Sequence, residues 1–320
     1  MDVQIPTLRD VLQARRTIAP YLPRTPLIKY DALGDLLTAQ VYVKHENHLP
    51  TNSFKVRGGI NLVSTLPPKE KAMGLITASS GNHAQSIAYA SRIFGVRATV
   101  VMPSNANPLK VRATKKFGAR VILHGKDFDE SRVYADELAA RLNLRNVHVS
   151  NEPKLIAGVA TLALEIFEDL PDVDVIITPI GGGSEASGAC IVAEGVGSNA
   201  RIIGVQSSAA PAAYRSWKEK RLVEDKMKTF AEGLATRLGF ELAQRILWKR
   251  LDDFVLVSDD AIRRAIPMMI EKTHNLVEAA GAAPLAAAMK LKDELKGKKV
   301  ALVLSGSNIS LSQLRDALAS

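Results

Sequence analysis

The sequence predicts an α/β protein with mostly parallel sheets, and two observations carry that prediction. Short apolar runs rich in β-branched residues alternate along the chain with longer amphipathic stretches. This alternation is typical of strands and helices that follow one another in a parallel α/β architecture. Several of the short runs are apolar on both faces, as in strands that helices cover on both sides.

Eight runs are predicted to be strands, at residues 41–44, 75–78, 98–102, 120–123, 173–178, 201–205, 254–257 and 300–304. Helical periodicity covers residues 84–94, 108–117, 128–142, 154–170 and 259–272. Residues 70–150 contain at least three strand–helix units, and the pattern starts again after residue 150. We therefore expect two α/β domains with a ligand cleft between them at the strand ends.

Composition excludes several classes of protein. The 320 residues are 47% hydrophobic and 23% charged, which is an ordinary globular balance. No run of about 18 apolar residues is present, the amino terminus lacks a signal-like segment, and Cys190 is the single cysteine. We therefore expect a cytoplasmic protein without a membrane span or a disulfide framework. The net charge of +9 is spread along the whole chain, which argues against nucleic-acid binding.

Three segments rich in Gly, Ser and Asn each begin where a predicted strand ends. They start at Ser79, Gly181 and Ser305 and read SSGNH, GGGS and SGSN. Glycine lets a ligand approach the backbone closely, and free N–H groups at the start of the following helix can hold an anion. Each segment alone could be a tight turn with a helix cap. The three together favour an anion-binding site.

The second segment also matches the dinucleotide fingerprint G-x-G-x-x-G/A through Gly181, Gly183 and Ala186. That fingerprint requires an acidic residue at the end of the next strand to hold a ribose. Here the next strand ends at Gln206, so a monophosphate fits the segment better than a nicotinamide dinucleotide.

Lys55 opens a predicted helix in the segment TNSFKVRGG. A cationic side chain in the first turn opposes the helix dipole, and this cost disappears if the amine is neutral or covalently bonded. A lysine that forms a Schiff base satisfies the condition, because a lowered pKa supplies the neutral nucleophile. An ordinary surface lysine next to Arg57 is the alternative.

The ordered motifs SFKVRGG, SSGNHAQ, PIGGGS and SGSN resemble the fold type II pyridoxal-phosphate-dependent enzymes, in particular the serine/threonine dehydratases and serine racemases. Val56 stands where the related sulfhydrylases and synthases usually have aspartate, which favours the dehydratase branch. The resemblance implies a tryptophan synthase β-like fold of two three-layer domains. Residues 1–70 and 151–320 would form a large cofactor-binding domain, residues 71–150 a small mobile substrate-side domain, and the cofactor would lie in the cleft between them.

The resemblance also implies a role for each motif residue. Lys55 would carry pyridoxal 5'-phosphate as a Schiff base and move protons at the substrate Cα, with Ser80 on the opposite face of the ring. The substrate carboxylate would be held by Ser79, Asn82 and His83. The implied cofactor contacts are Lys55, Phe54, Asn82, Gly181, Gly182, Gly183, Ser184 and Ser305, and Asn308 would support the last loop.

The implied reaction converts L-threonine, L-serine or a related β-hydroxy amino acid to a 2-oxo acid and ammonia. A neutral Ser305 hydroxyl at the pyridine nitrogen favours this elimination, because it stabilises a long-lived carbanion less than a carboxylate would. An amino acid racemase is the first alternative, and a non-catalytic ligand-binding relative is the second. The expected partners are a small amino acid and a second copy in a homodimer, with no nucleic acid and no membrane.

Three features depart from the family pattern. Glu185 follows the glycine loop where the family has a small or apolar residue, and we expect it to point away from a phosphate or to contact a substrate or partner group. Residues 158–161 read GVAT instead of GQGT, which is expected to alter the active-site wall. Racemases place acids at the position of Gln206 and near Ala212 to bind a divalent cation, so no metal site is expected.

Overall fold

The structure, a computed structural model, describes residues 4–79 and 81–319 of the chain. Its strands form one six-stranded sheet and one four-stranded sheet. Among the described helices, none combines the length and the apolar composition that crossing a membrane would require.

The larger sheet has the strand order β1-β2-β10-β7-β8-β9 and is parallel except for the β1–β2 pair. Its strands are β1 (Leu27–Lys29), β2 (Gln40–His45), β7 (Val175–Pro179), β8 (Arg201–Ser207), β9 (Asp253–Val257) and β10 (Lys299–Leu304). The smaller sheet is parallel throughout, in the order β5-β4-β3-β6. Its strands are β3 (Leu75–Ala78), β4 (Ala98–Met102), β5 (Arg120–Leu123) and β6 (Arg145–Asn146).

Fifteen α-helices in the described residues cover these sheets. They are α1 (Leu8–Ile18), α2 (Asp31–Leu37), α3 (Lys55–Ser64), α4 (Pro68–Met73), α5 (Asn82–Ile93), α6 (Pro108–Lys116), α7 (Phe128–Leu142), α8 (Pro153–Asp169), α9 (Ser184–Gly195), α10 (Ala212–Glu219), α11 (Glu241–Arg250), α12 (Asp259–Thr273), α13 (Ala279–Lys290), α14 (Lys292–Leu295) and α15 (Leu311–Leu318).

The larger sheet is the middle layer of three. On β7, Ile176 packs with α8 and α9, whereas Val175 and Ile177 pack on the opposite face with α12 and α13. Successive side chains of a strand point to opposite faces, so a strand that is apolar at every position needs cover on both sides. The prediction of an α/β fold with mostly parallel, doubly covered sheets is confirmed.

All eight predicted strands and all five predicted helices are present, with ends that differ by three residues or fewer. The strands of the smaller sheet lie within residues 71–150, and those of the larger sheet lie outside that range. One apolar core nevertheless crosses the proposed boundary, because Val56 and Ile60 on α3 pack with Leu75 and Ile87. The division into domains, and the mobility of the smaller one, remain proposals.

Candidate active site

A cavity of about 670 Å³ is lined by residues that follow the carboxyl ends of parallel strands of both sheets. Ser79 after β3, Gly181 after β7 and Ser305 after β10 all contribute to its wall. Every site residue predicted from the sequence lines this cavity, except Ser80, which lies outside the described residues. The motifs therefore converge on one place in the fold.

Lys55 is the first residue of α3, and its amine faces the glycine loop. The Nζ atom donates a hydrogen bond to Ser184 Oγ at 3.1 Å and lies 4.7 Å from the centre of the Phe54 ring. Burial lowers the pKa of Lys55 to about 8, although the nearby Glu185 carboxyl raises it. At pH 7 a lysine with this pKa is neutral in about one molecule in ten, roughly 300-fold more often than an unperturbed lysine.

Backbone contacts join the start of α3 to the loop after β10 and to α5. Phe54 N–H donates to Ser305 O at 3.1 Å, and Ser53 forms a β-bridge with Gly306. Ser86 Oγ on α5 donates to the carbonyl oxygen of Lys55 at 2.6 Å. Lys55 and Ser305 therefore keep their relative positions through several hydrogen bonds.

Four buried charged side chains connect the start of α3 to neighbouring segments of the chain. We call them the buried charge cluster: Lys44, Glu46, Arg57 and Glu165. Arg57 Nε donates to Glu46 at 2.7 Å, and its two terminal nitrogens donate to Glu165 at 2.8 Å each. Lys44 Nζ also donates to Glu165, at 2.6 Å. Two cations and two anions balance within the cluster, so Arg57, two residues after Lys55, fixes the first turn of α3.

The glycine loop offers a cradle of backbone N–H groups. Those of Gly181, Gly182 and Gly183 donate to no acceptor in the described part of the chain. Gly183 has a φ of +83°, a conformation that a side chain disfavours, and a Cβ on Gly181 would lie 2.1 Å from the carbonyl oxygen of Gly233. The loop opens α9, so its free donors and the helix dipole together favour an anion.

Asn82, which lines the cavity, forms a chain of amides with Asn308. Asn308 Nδ2 donates to Asn82 Oδ1 at 2.8 Å and to Thr51 O at 2.9 Å. Asn82 Nδ2 in turn donates to Glu278 Oε1 at 2.6 Å, and burial raises the pKa of Glu278. The Asn82 amide is thus fixed in orientation.

This set of groups suits a flat aromatic aldehyde that carries a phosphate. The glycine loop supplies donors for an anion, Lys55 supplies a partly neutral amine, and Phe54 supplies an apolar wall. The buried Ser305 hydroxyl adds one neutral polar group on the cavity wall. Pyridoxal phosphate has each of the matching parts, so the residues present fit it.

The comparison with known families agrees with that fit, because residues 18–306 match the family described as "Pyridoxal-phosphate dependent enzyme". The chain belongs to this family. An L-threonine ammonia-lyase of Thermotoga maritima is 38% identical over 310 residues, which cover 96% of this chain and 77% of that protein. The prediction of a fold type II pyridoxal-phosphate enzyme is confirmed.

Solved structures of family members are also similar to this pyridoxal-phosphate enzyme. Serine racemase from Dictyostelium discoideum has a TM-score of 0.89 at 32% identity, covering 95% of this chain and 99% of that one. The processed form of threonine deaminase isoform 2 from Solanum lycopersicum has a TM-score of 0.92 at 30% identity, covering 100% of this chain and 91% of that one.

The ring of His83 is held in one neutral form. The Thr77 hydroxyl uses its one proton to donate to Val147 O at 2.7 Å. It therefore accepts a hydrogen bond from His83 Nε2–H at 3.1 Å. Because a neutral imidazole carries a single N–H, Nδ1 has no proton. Burial lowers the pKa of His83 to about 3, with a further lowering from Lys55 and His148. A neutral ring with a bare Nδ1 does not bind a carboxylate, so only the backbone N–H of His83 is suited to that task.

The sequence did not reveal four charged residues of the cavity lining. Lys110 on α6 forms an ion pair with Glu232, and Arg237 forms one with Asp127 at 3.1 Å. The two pairs join α6 and the residue that caps α7 to the segment of residues 231–240. Charged residues on amphipathic helices have no sequence signature that separates a cavity wall from an ordinary solvated face.

The expectation for residues 158–161 is wrong. Val159 and Ala160 are fully buried in the core between α3 and α9, and neither lines the cavity. Gln206 stands at a position where the racemases of the family have a metal-binding acid. Its side-chain amide donates hydrogen bonds to Leu234 O and Thr236 Oγ1 and accepts one from Tyr214 N–H. In the described residues, no three His, Cys, Asp or Glu side chains are grouped to hold a metal ion.

Proposed function

We propose that this pyridoxal-phosphate enzyme is a dehydratase that converts L-threonine, L-serine or a related β-hydroxy amino acid to a 2-oxo acid and ammonia. The observation that carries the proposal is the half-buried Lys55 amine, with a pKa of about 8, facing the glycine loop. The relatives named L-threonine ammonia-lyase and threonine deaminase support the same reaction, because their similarity covers nearly the whole chain.

The proposal assigns the cofactor to the residues that converge on the cavity. The phosphate would bind the N–H groups of the loop from Gly181 to Ser184, and the ring would lie against Phe54 between Asn82 and Ser305. When bound, pyridoxal phosphate supplies a conjugated system that accepts the electron pair left at the substrate Cα. Ser305 would hydrogen-bond the pyridine nitrogen and, being a neutral hydroxyl, favour rapid loss of the β-substituent over a persistent carbanion.

Lys55 has two tasks in this proposal, to hold the cofactor aldehyde and then to remove the proton from Cα. A general base works best when its pKa lies near the working pH, and the lowered pKa of Lys55 meets that requirement. The substrate carboxylate would bind at the start of α5, to Ser79, Asn82 and the backbone of His83. Ser80 would stand on the opposite face of the ring.

Substituting Gly181 with alanine is expected to weaken cofactor binding and to lower the free energy of unfolding by about 1–3 kcal/mol. The added Cβ would lie 2.1 Å from Gly233 O, so the loop must shift. Spectrophotometric titration with pyridoxal phosphate measures the first effect and urea unfolding the second. Gly197→Ala is the control for cofactor affinity, because a Cβ there meets nothing within 4 Å; Gly197, unlike Gly181, has a positive φ, so its own loss of stability reflects backbone strain. An unchanged cofactor affinity in Gly181→Ala would contradict the loop's assignment.

The reaction itself is tested with the purified, cofactor-loaded protein and the separate L- and D-enantiomers of serine and threonine. Formation of a 2-oxo acid and ammonia in equal amounts from the L-forms is the expected result. Net formation of the opposite enantiomer, without oxo acid, would replace the proposal with the racemase alternative. The similarity to serine racemase supports that alternative. A protein that binds the cofactor or an amino acid but forms neither product would point to a non-catalytic ligand-binding relative.

The proposal extends to a homodimer located in the cytoplasm. The support for the homodimer is the resemblance to this family, and the support for the location is that Cys190 is the single cysteine and can form no disulfide within the chain.

A further inference from the structure

A lysine on α6 is enclosed in the wall of the cavity, close to the start of α5. Only 7% of Lys110 is exposed, and it lines the same cavity as Lys55. A Cβ built on Gly81, the residue before α5, would lie 3.6 Å from Lys110 Nζ. The ammonium group therefore lies beside the helix start to which the proposed function assigns the substrate carboxylate.

Lys110 stands at an unfavourable place in its own helix. It is the third residue of α6, which begins with Pro108 and is capped by the side chain of Asn107. A cation in the first turn of a helix opposes the helix dipole. Burial of an ammonium group adds a further cost unless an opposite charge lies nearby. The local helix therefore does not explain this lysine, whereas its position in the cavity wall can.

An acid from a distant segment of the chain pairs with Lys110. The Lys110 Nζ atom forms an ion pair with Glu232 Oε2, and Gln313 Nε2 donates to Glu232 Oε1 at 3.2 Å. The side chain of Glu232 is 38% exposed, whereas that of Lys110 is 8% exposed. Solvent screens an exposed charge more than an enclosed one, so Glu232 neutralises the enclosed ammonium only in part.

The other cations of the cavity lining are less suited to attract a carboxylate. In the described part of the chain they are Lys55, Lys126, Arg132 and Arg237. Lys55 is assigned to the cofactor. The side chains of the other three are 81%, 41% and 46% exposed, and each pairs with an acid on α7 or with its capping residue. Apart from Lys55, Lys110 is thus the enclosed cation of the described lining.

The start of α5 needs a cation if it is to hold a carboxylate. The N–H groups of Asn82 and His83 donate to no acceptor within residues 4–79 and 81–319, so they are available to an anion. However, Glu232 and Glu278 line the same cavity, and Asn82 Nδ2 donates to Glu278 at 2.6 Å. Two acids this close would repel a bound carboxylate, and the Lys110 ammonium offsets them.

We infer that Lys110 is a substrate-binding residue whose ammonium pairs with the substrate carboxylate at the start of α5, and that Glu232 competes for the same ammonium. The ligand class is an amino acid with a free α-carboxylate. The inference rests on the proposed function in taking the start of α5 as the carboxylate site. It does not depend on which reaction follows, because elimination and racemisation use the same bound carboxylate.

The test compares glycine with methylamine, which has the amine but lacks the carboxylate. Each is added to the full-length, cofactor-loaded protein, and the change in the visible absorption of the cofactor gives its affinity. In Lys110→Met, glycine should bind about 10–100-fold more weakly, the range for a hydrogen bond to a charged group, and methylamine should bind as before. Lys110→Arg should restore much of the glycine affinity. A purely structural Lys110 would change both affinities together.

Two further variants separate the lysine from its competing acid. Glu232→Gln removes a negative charge near the carboxylate, so glycine should bind more tightly than in the wild type while methylamine is unaffected. The double variant Lys110→Met/Glu232→Gln should bind glycine about tenfold more weakly than Glu232→Gln alone, because only the lysine differs between them. The single variant Glu232→Gln keeps Lys110, so its result stands even if Lys110→Met fails to fold.

Lys126→Met is the matched control, because Lys126 also lines the cavity and pairs with an acid, but its side chain is 81% exposed. It should keep both wild-type affinities. An unchanged ratio of glycine to methylamine affinity in Lys110→Met would overturn the inference, as would weaker glycine binding in Glu232→Gln or no glycine binding by the wild type. Failure of the proposed function would appear separately, as absence of 2-oxo acid from L-serine and L-threonine while glycine still binds.

Discussion

Lys55→Ala is expected to lower the rate of 2-oxo acid formation by at least about 10²–10⁴-fold, the range that a positioned acid–base group contributes. The variant should also lose the visible absorption of the bound cofactor, because the same amine would hold the aldehyde. Loss of two functions through one side chain makes this the largest effect on activity that we expect from a single substitution. Steady-state kinetics and an absorption spectrum of the purified protein measure both.

Two further variants distinguish the effect of losing the Lys55 amine from the effect of losing its charge and from the general effect of removing a lysine. Lys55→Arg keeps a cation at the cavity wall but has no nucleophilic amine, so it should be as inactive as Lys55→Ala. Lys71→Ala removes a lysine that donates to Ser64 O outside the cavity and should retain both activity and colour. Activity and colour in Lys55→Ala equal to those of the wild type would refute the assignment of Lys55.

The strands and helices could be predicted because each is long enough to show its period. All five residues of β7 are buried, and in β10 the five residues after Lys299 are apolar and buried, a pattern typical of strands covered on both faces. The strands β1 and β6 were missed because they contain three and two residues, and β1 is largely exposed. Their pairing depends on neighbours that are distant in sequence, and no local pattern reveals such neighbours.

The lining of the candidate site was predictable wherever a ligand requires an unusual backbone. The glycines after β7 and the Ser-Asn segments after β3 and β10 stand out because loops between ordinary elements do not need them. Lys110, His148 and Glu232 line the same cavity but carry no such mark. His148 is oriented by hydrogen bonds from the N–H groups of Ser150 and Asn151, which depend on how the chain leaves β6.

The sequence marked Glu185 as unusual but could not show its surroundings. An acid near a helix start is ordinarily exposed and stabilised by the dipole. Only the packing of α9 shows that this carboxyl is enclosed and that its charged neighbours come from three other segments of the chain. Residues 158–161 show the converse, since a departure from a family motif was read as a change in the cavity but belongs to helix packing.

Arg57→Met is expected to lower the free energy of unfolding by about 3–5 kcal/mol, the cost of removing one partner from a buried ion pair. Arg57 makes hydrogen bonds to both carboxylates of the buried charge cluster and is 1% exposed. Methionine fills a similar length without charge, so Glu46 would lose its cation and Glu165 would keep only Lys44. Urea unfolding measures the difference.

Arg15→Met is the control for this variant, because Arg15 pairs with Glu168 at the surface, where both side chains are partly exposed. Exposed pairs of this kind contribute about 0–1 kcal/mol. A cost for Arg57→Met as small as that of Arg15→Met would mean that the cluster does not hold α3. A large cost should also reduce activity, because the start of α3 carries Lys55.

The pH dependence of the free energy of unfolding shows why Arg57→Met is less stable. Burial raises the pKa of Glu165, but Arg57 and Lys44 outweigh burial and hold the pKa below the ordinary 4.5. The ionised carboxylate therefore stabilises the wild-type fold above pH 4.5, and this contribution disappears as the pH falls through the lowered pKa. Without Arg57 the buried Glu165 carboxylate is better tolerated when protonated, so the cost of Arg57→Met should be largest at neutral pH and shrink on acidification. A cost that is independent of pH would mean that lost packing, and not uncompensated charge, destabilises the variant.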